Sequence, residues 1–333
     1  MSADNRRWVL ATRPRGMVDE DTLRLELSPA PEPGPGQALA KVTWLSIDPT
    51  IRTWMDDRPG YLPPIGIGEV IRSGGLAEVV DSGGTQLPVG QRLFGMTGWQ
   101  DYVVVGEQGM QVVPGDVDPG AVLGVYGVNG MTAYYGLLEV GSLEEGDTVV
   151  VSGAAGATGS LVGQIARLKG AGRVVGIAGT AEKCAWLTDT LGFDAAVDYR
   201  NEDVAGALRR HCPQGIDLYF DNVGGEILDI CLAQLALRGR VVLCGAISMY
   251  NATGEPPGLA NVVNLIPRRG RMEGFIILDY VERFGTAMLE LAGWLAEGKI
   301  VHAEHVVHGL ENAPDALNML FTGANTGKVV VEL

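Results

Sequence analysis

The 333-residue chain is poor in the residues that build metal sites, disulfides or nucleic-acid surfaces. Its four cysteines, Cys184, Cys212, Cys231 and Cys244, are widely spaced and form no Cys-x-x-Cys pair. A disulfide framework is therefore not expected, and reduced thiols of a cytoplasmic protein are the simpler reading. All four histidines lie beyond residue 210, so neither His nor Cys is available in the first 122 residues to ligate zinc. His302, His305 and His308 form the one histidine cluster, and strand alternation would turn His305 away from the other two. No metal is expected. Basic residues are scarce as well: 25 Lys+Arg against 40 Asp+Glu give a formal charge of −15. So acidic a surface repels phosphate backbones and anionic headgroups, which argues against nucleic acid and membrane as partners.

Targeting and hydrolase signals are also missing. Arg6-Arg7 suggests a twin-arginine leader, but Arg13 and Arg15 break the short apolar stretch that follows. Residues 148–166 carry no charge and are long enough to raise a membrane span. Their centre, Ser152-Gly153-Ala154-Ala155-Gly156-Ala157-Thr158-Gly159, is too small and flexible for a simple lipid-facing helix. A strand, a turn and a helix explain the same residues better. No Gly-x-Ser-x-Gly elbow occurs, so the chemistry is expected to come from a nucleotide assisted by hydrogen-bonding side chains.

What is plentiful is apolar residues, at 46%, and glycine, at 48. Of the 17 prolines, 12 precede residue 120, among short β-rich runs at 38–45, 77–80 and 102–105. From about residue 121 the rhythm changes to strand then helix. Strands are predicted at 148–152, 173–177, 216–220 and 240–244, with helices at 157–168, 183–191 and 226–236. That alternation implies α/β architecture with a doubly wound parallel sheet. The tail, 300–333, returns to β character. The expected organisation is a β-rich domain over 1–122, a nucleotide-binding domain over 123–299, and a return to the first domain over 300–333.

Val149-Val150-Val151 leads into Gly153-x-x-Gly156-x-x-Gly159, which opens a helix. A dinucleotide pyrophosphate needs close backbone approach, open N–H groups and a helix N-terminus, and a Cβ in such a turn obstructs all three. NAD-binding folds place Asp or Glu about 20 residues further on, against the ribose 2′-OH. Here the chain reads Ala178-Gly179-Thr180, followed by Lys183. A missing acid with a hydroxyl and a lysine nearby favours NADP(H) over NAD, because the adenosine 2′-phosphate is anionic.

The order of features resembles the medium-chain dehydrogenase/reductase superfamily, whose members join a GroES-like β-rich catalytic domain to a Rossmann domain. The closer resemblance is to its zinc-independent branch, the leukotriene B4 12-hydroxydehydrogenase, prostaglandin reductase and curcumin-reductase type. It runs nearly end to end, from Asn5-Arg6-Arg7-Trp8-Val9-Leu10 and Arg13-Pro14-Arg15-Gly16 onward. Superfamily alcohol dehydrogenases carry a zinc-ligand Cys where this chain has Ser46-Ile47-Asp48-Pro49, and Gly-His-Glu where it has Gly66-Ile67-Gly68-Glu69. Gly98-Trp99-Gln100-Asp101-Tyr102 and Gly130-Met131-Thr132-Ala133-Tyr134 also match, although Asn129 stands where proline is common.

The resemblance implies a cofactor set. Gly156, Ala157, Thr158 and Gly159 would meet the pyrophosphate, and Lys183 with Tyr199 the 2′-phosphate end. Asn222 and the run Cys244, Gly245, Ala246, Ile247, Ser248 and Tyr250 would pass the nicotinamide. Phe275, Ile276, Ile277 and Asn325 complete the set. It also implies a homodimer, and reduction of the C=C bond of small α,β-unsaturated ketones and aldehydes by NADPH. Tyr250 is the first candidate to donate to the developing enolate oxygen, and Tyr61, in Gly60-Tyr61-Leu62-Pro63-Pro64, the second. Either tyrosine instead supplies only the shape of a cleft wall. The Gly- and Pro-rich stretch after Tyr250 either covers the site or is a plain connector. Two further classes remain open from the residues: a quinone or carbonyl reductase of the same superfamily, and an NADPH-binding protein without turnover.

Overall fold

The computed structural model describes residues 4–106, 108–255 and 258–333. Seven strands come first: β1 Asp4–Leu10, β2 Leu23–Pro29, β3 Gln37–Ile47, β4 Gly74–Asp81, β5 Arg92–Met96, β6 Tyr102–Gly106 and β7 Met110–Val113. Six follow in alternation with helices: β8 Thr148–Ser152, β9 Arg173–Ala178, β10 Ala195–Asp198, β11 Ile216–Asp221, β12 Leu235–Leu243 and β13 Arg271–Gly274. The chain closes with β14 Glu304–His308 and β15 Lys328–Glu332. Two compact units result, one of residues 1–123 and 304–333, the other of 124–303.

In the first unit, β1 and β2 form a two-stranded sheet, and a larger sheet runs β14-β15-β3-β4-β5-β7, with β6 also paired to β3. All its pairings but β14 with β15 are antiparallel. The core gathers Leu45, Ile47, Ile51, Val79, Leu93, Trp99 and Val331.

The second unit is a six-stranded parallel sheet ordered β10-β9-β8-β11-β12-β13. This is the Rossmann order, in which the chain leaves β8 toward one edge and returns to β11 beside it. A parallel sheet covered on both faces needs strands apolar on both sides. Val149 and Val151 accordingly pack with Leu161, Val162 and Ile165, whereas Val150 packs with Val175, Val197, Leu208 and Leu228 on the other face. Each such fully buried Val stabilises the fold by about 1.5–3 kcal/mol.

The strand 148–152 and the helix Ala157–Leu168 fall where the sequence predicts them. Three expectations need correction. The helix predicted over 226–236 spans Gly225–Leu232, and the chain is already in β12 at Leu235. Arg238 takes a left-handed φ of 64° in mid-strand, and the pairing of β11 with β12 shifts register nearby. This irregularity hides the first half of β12. The helix predicted over 183–191 begins earlier, at Ala181, and continues into a π-helical turn, Trp186–Thr190. The tail contains a helix, Ala313–Thr322, between its strands. Pro near its start and left-handed Gly323 at its end are the start and stop signals that identify it. His302 precedes β14, so strand alternation separates only His305 from His308, and His308 pairs with Glu332 at 2.9 Å. Among the described residues no helix is long and apolar enough to cross a membrane.

Candidate functional site

The carboxyl ends of β8 and β11 flank the point where strand order reverses, which in open α/β sheets is where ligands bind. The turn after β8 is shaped by glycine. Gly153 has φ +56°, and a Cβ on Gly159 would lie 2.4 Å from the Gly153 carbonyl oxygen and 2.8 Å from Ala154 Cα. Only glycine at 159 lets the helix Ala157–Leu168 start so close to the strand end. Gly156 is the N-cap of that helix, and no side chain caps it. The first-turn amides of Ala157 and Thr158 therefore belong to an uncapped, positive helix end. Asn129, where relatives commonly have proline, donates to the Thr158 hydroxyl at 3.3 Å.

Across the switch point sits a carboxylate to which the sequence reading gives no role. Asp221, fully buried at the end of β11, accepts on Oδ1 from Ser152 Oγ at 2.9 Å, Tyr219 OH at 2.7 Å, Val223 N at 3.0 Å and Gly224 N at 2.9 Å. Its carbonyl oxygen accepts from Cys244 N and Gly245 N. Ser152 Oγ in turn accepts from Asn222 N, and Asn222 Nδ2 donates to the Ser152 carbonyl at 2.7 Å. One acid thus ties together the ends of β8, β11 and β12. Burial raises its pKa above the ordinary 3.8, opposed by the hydrogen bonds from Gly224, Tyr219, Val223 and Ser152.

The segment after β12 folds onto this network. Ile247 N donates to Asn222 O, and both Ser248 N and Ser248 Oγ donate to Val223 O. The half-buried Tyr250 turns its hydroxyl back into the turn, where it accepts from Ala246 N at 3.1 Å. A Cβ on Gly245 would stand 3.2 Å from that hydroxyl and 3.4 Å from Asn222 O, so Gly245 gives the tyrosine its room. Burial pushes the Cys244 thiol up to about 12 and those of Cys184 and Cys212 up to about 11. All three stay protonated at neutral pH and are not nucleophiles. Phe275, Ile276 and Ile277 follow β13 and are half-buried, with the Phe275 ring against Gly136.

At the ends of β9 and β10 the chemistry is cationic. Thr180 caps the helix Ala181–Ala185, its hydroxyl oxygen accepting from Lys183 N at 3.3 Å. Tyr199 lies with its ring against Gly179, where a Cβ would be 2.9 Å from Tyr199 Cε1. Lys183 is held below the ordinary lysine pKa, first by burial and then by the charge of Arg200.

The first unit carries the remaining candidates. Tyr61, 45% exposed, shares a hydrogen bond with the Thr50 hydroxyl and meets Trp54 edge-on at 6.2 Å. Three guanidinium groups brace its loop: Arg13 donates to Met55 O and Ile65 O, Arg72 to Pro63 O, and buried Arg52 to Asp56. Asn325 is buried and donates to Gly327 O. Ser46 donates to Asp48 Oδ2, and Asp48 Oδ1 accepts from buried Lys328 Nζ at 2.8 Å. Glu69 accepts from Gly66 N at 2.8 Å.

Residues 6–113 match a family described as the N-terminal domain of oxidoreductase, and residues 157–293 one described as zinc-binding dehydrogenase. The chain is 43% identical to the NADPH-dependent curcumin reductase of Escherichia coli (strain K12), covering 99% of this chain and 97% of that one. The chain belongs to the medium-chain dehydrogenase/reductase family. Within this family it is 41% identical to the NADP(+)-dependent 2-alkenal reductase of Nicotiana tabacum, over 90% of this chain and 88% of that one. Its fold superposes with a TM-score of 0.93 on the crystal structure of CurA in complex with NADPH from Vibrio vulnificus. Identity there is 44%, with 98% of each chain covered. The medium-chain assignment matches the β-rich unit and the Rossmann-ordered unit described above.

Proposed function

We propose that this oxidoreductase uses NADP(H) to reduce the C=C bond of α,β-unsaturated ketones and aldehydes. The observation that carries the proposal is the meeting of Gly153, Asn222 and the Tyr250 hydroxyl at the ends of β8, β11 and β12. A glycine cradle there is joined to a hydroxyl held by backbone. The activities of the related curcumin and alkenal reductases suggest the substrate class.

The residues fit the nucleotide. Gly153, Gly156 and Gly159 leave room that a Cβ would fill, and Ala157 and Thr158 offer helix-end amides to the pyrophosphate. Lys183 and Tyr199 take the 2′-phosphate end, with Thr180 setting the helix start. Asn222, Cys244–Ser248 and Phe275–Ile277 form the wall for the nicotinamide, and Asn325 belongs to the same set. When bound, NADPH supplies a hydride to the β-carbon of the enone.

Tyr250 then acts on the carbonyl oxygen. Its phenolic oxygen accepts the Ala246 N–H, which draws electron density away and makes its own proton a better donor. Negative charge grows on the carbonyl oxygen as the enolate forms, so this bond is stronger in the transition state than in the ground state. The enolate then takes up a proton at its α-carbon. Tyr61, in the first unit, is the alternative candidate for donor to the carbonyl oxygen. Ser46 and Ile67 offer no thiolate or imidazole, which supports zinc-independent turnover that chelators leave unchanged.

β13 ends the parallel sheet, and Ile266, Leu278 and Val281 are exposed near it, which supports a homodimer formed over that edge. Light scattering should give about twice 35.2 kDa, and the monomer mass would exclude the dimer.

A panel of enones, enals and quinones with NADPH tests the activity. Loss of NADPH absorbance with enones and enals, yielding saturated carbonyl products, is expected. Turnover of quinones alone, or of nothing, would overturn the proposal.

A further inference from the structure

We propose that Arg200 reads the adenosine 2′-phosphate of NADP(H) jointly with Lys183, its guanidinium held in place by the face of Tyr199. The inference rests on the NADP(H) reading above and adds to it a specificity-determining residue. β9 and β10 are adjacent and parallel, and Ala178 at the end of one is in register with Asp198 at the end of the other. The two chains therefore leave the sheet at the same level. One continues as Gly179-Thr180 toward Lys183, the other as Tyr199-Arg200. In dinucleotide folds the end of the second strand is where the adenosine ribose lies, and a nearby arginine accommodates a 2′-phosphate.

The side chains agree with this placement. The Arg200 guanidinium carbon lies 5.7 Å from the centroid of the Tyr199 ring, within cation–π range, and the same ring rests on Gly179. Tyr199 thus bridges the two strand ends and orients the guanidinium. Of the nearby acids, buried Asp198 accepts from Arg200 N at 3.0 Å and Asn201 Nδ2 at 2.8 Å, and exposed Glu202 accepts from Asp198 N at 2.9 Å and approaches Arg210 at 3.7 Å. Lys183 feels the charge of Arg200 on top of its partial burial. A dianionic phosphate that meets both cations is attracted by each. A guanidinium also presents paired N–H donors, the geometry that suits phosphate oxygens.

The test measures equilibrium binding of NADPH, NADH and adenosine 2′,5′-bisphosphate by titration calorimetry, for the wild type, Arg200→Gln, Arg200→Lys and Lys183→Ala. Because Arg200 is exposed, folding should be unaffected. Arg200→Gln should weaken NADPH and the bisphosphate about 5- to 20-fold and NADH less than twofold, and Arg200→Lys should recover part of the loss. If Arg200→Gln leaves NADPH binding intact while Lys183→Ala weakens it, Arg200 does not read the phosphate and the NADP(H) reading stands. Equal losses of NADPH and NADH in Arg200→Gln would also overturn the proposal. A wild type that binds NADPH and NADH equally would overturn both this inference and the reading beneath it.

Discussion

The two ends of the nucleotide strip in the parallel sheet are built on opposite principles. At the ends of β9 and β10, the proposed recognition uses half-exposed or exposed side chains, the cations Lys183 and Arg200 with the ring of Tyr199. At the ends of β8, β11 and β12 the proposed recognition is by backbone, held from below by the fully buried Asp221. An exposed cation such as Arg200 can be removed without disturbing the fold, because its desolvation is small and water replaces its partners. A buried acceptor shared by four donors cannot. The phosphate end is therefore adjustable by evolution or design, and the switch-point end is committed to one shape.

That contrast is sharpest for Asp221→Ala. The change strands the hydroxyls of Ser152 and Tyr219 and the amides of Val223 and Gly224. Stability should fall by at least about 3 kcal/mol, because each buried donor left unpaired costs about 1–3 kcal/mol. Thermal unfolding measures it, and a loss below about 1 kcal/mol would show that the two ends are equally tolerant. Next in size is Tyr250→Phe, which keeps the ring and removes the hydroxyl on the committed side. It should cost about 2.7–4 kcal/mol of transition-state stabilisation, seen in kcat with NADPH binding retained. Tyr61→Phe, made in parallel, should cost less. Full kcat in Tyr250→Phe, with hydride transfer shown to be rate-limiting, would remove Tyr250 from the mechanism.

The adjustable side should give smaller, selective effects. Lys183→Ala should weaken NADPH by about 1–3 kcal/mol, leaving NADH and thermal stability almost unchanged. Equal losses for both nucleotides would mean that Lys183 does not discriminate. The smallest effect is one of pH. Lys183 attracts phosphate only when protonated, and burial with Arg200 nearby lowers its pKa from 10.5. The preference for NADPH over NADH should therefore decline on the alkaline side at a lower pH than an ordinary lysine would give. Lys183→Arg, which stays charged, should abolish that decline. A pH-independent preference in the wild type would contradict the assignment.

How far the sequence speaks follows the same division. Gly153 and Gly159 are legible because a left-handed φ at the first and a 2.4 Å approach at the second tolerate nothing else, and local spacing records that demand. The triple-valine strand β8 is legible because burial on both faces leaves no alternation to misread. Asp221 is visible in the sequence, inside Asp221-Asn222-Val223-Gly224-Gly225, but its role is not. Its partner Ser152 is 69 residues away, and only the pairing of β8 with β11 joins them. Arg200 is hidden for the same reason: its nearness to Lys183 depends on the register of β9 with β10. Thr180 is read as a phosphate hydroxyl, and its oxygen also caps a helix, a role that the sequence around it encodes as well. Tyr61 stands out only through resemblance, and the arginines that brace its loop come from positions 13, 52 and 72, which no local pattern links.

The central claim is that this chain directs hydride to carbon rather than to the carbonyl. The most direct measurement uses NADPH deuterated at the transferred position of C4, a simple enone as substrate, and NMR of the product. A saturated ketone carrying deuterium at the β-carbon, with a solvent-derived proton at the α-carbon, is the predicted result. An allylic alcohol carrying deuterium at the carbinol carbon would contradict it.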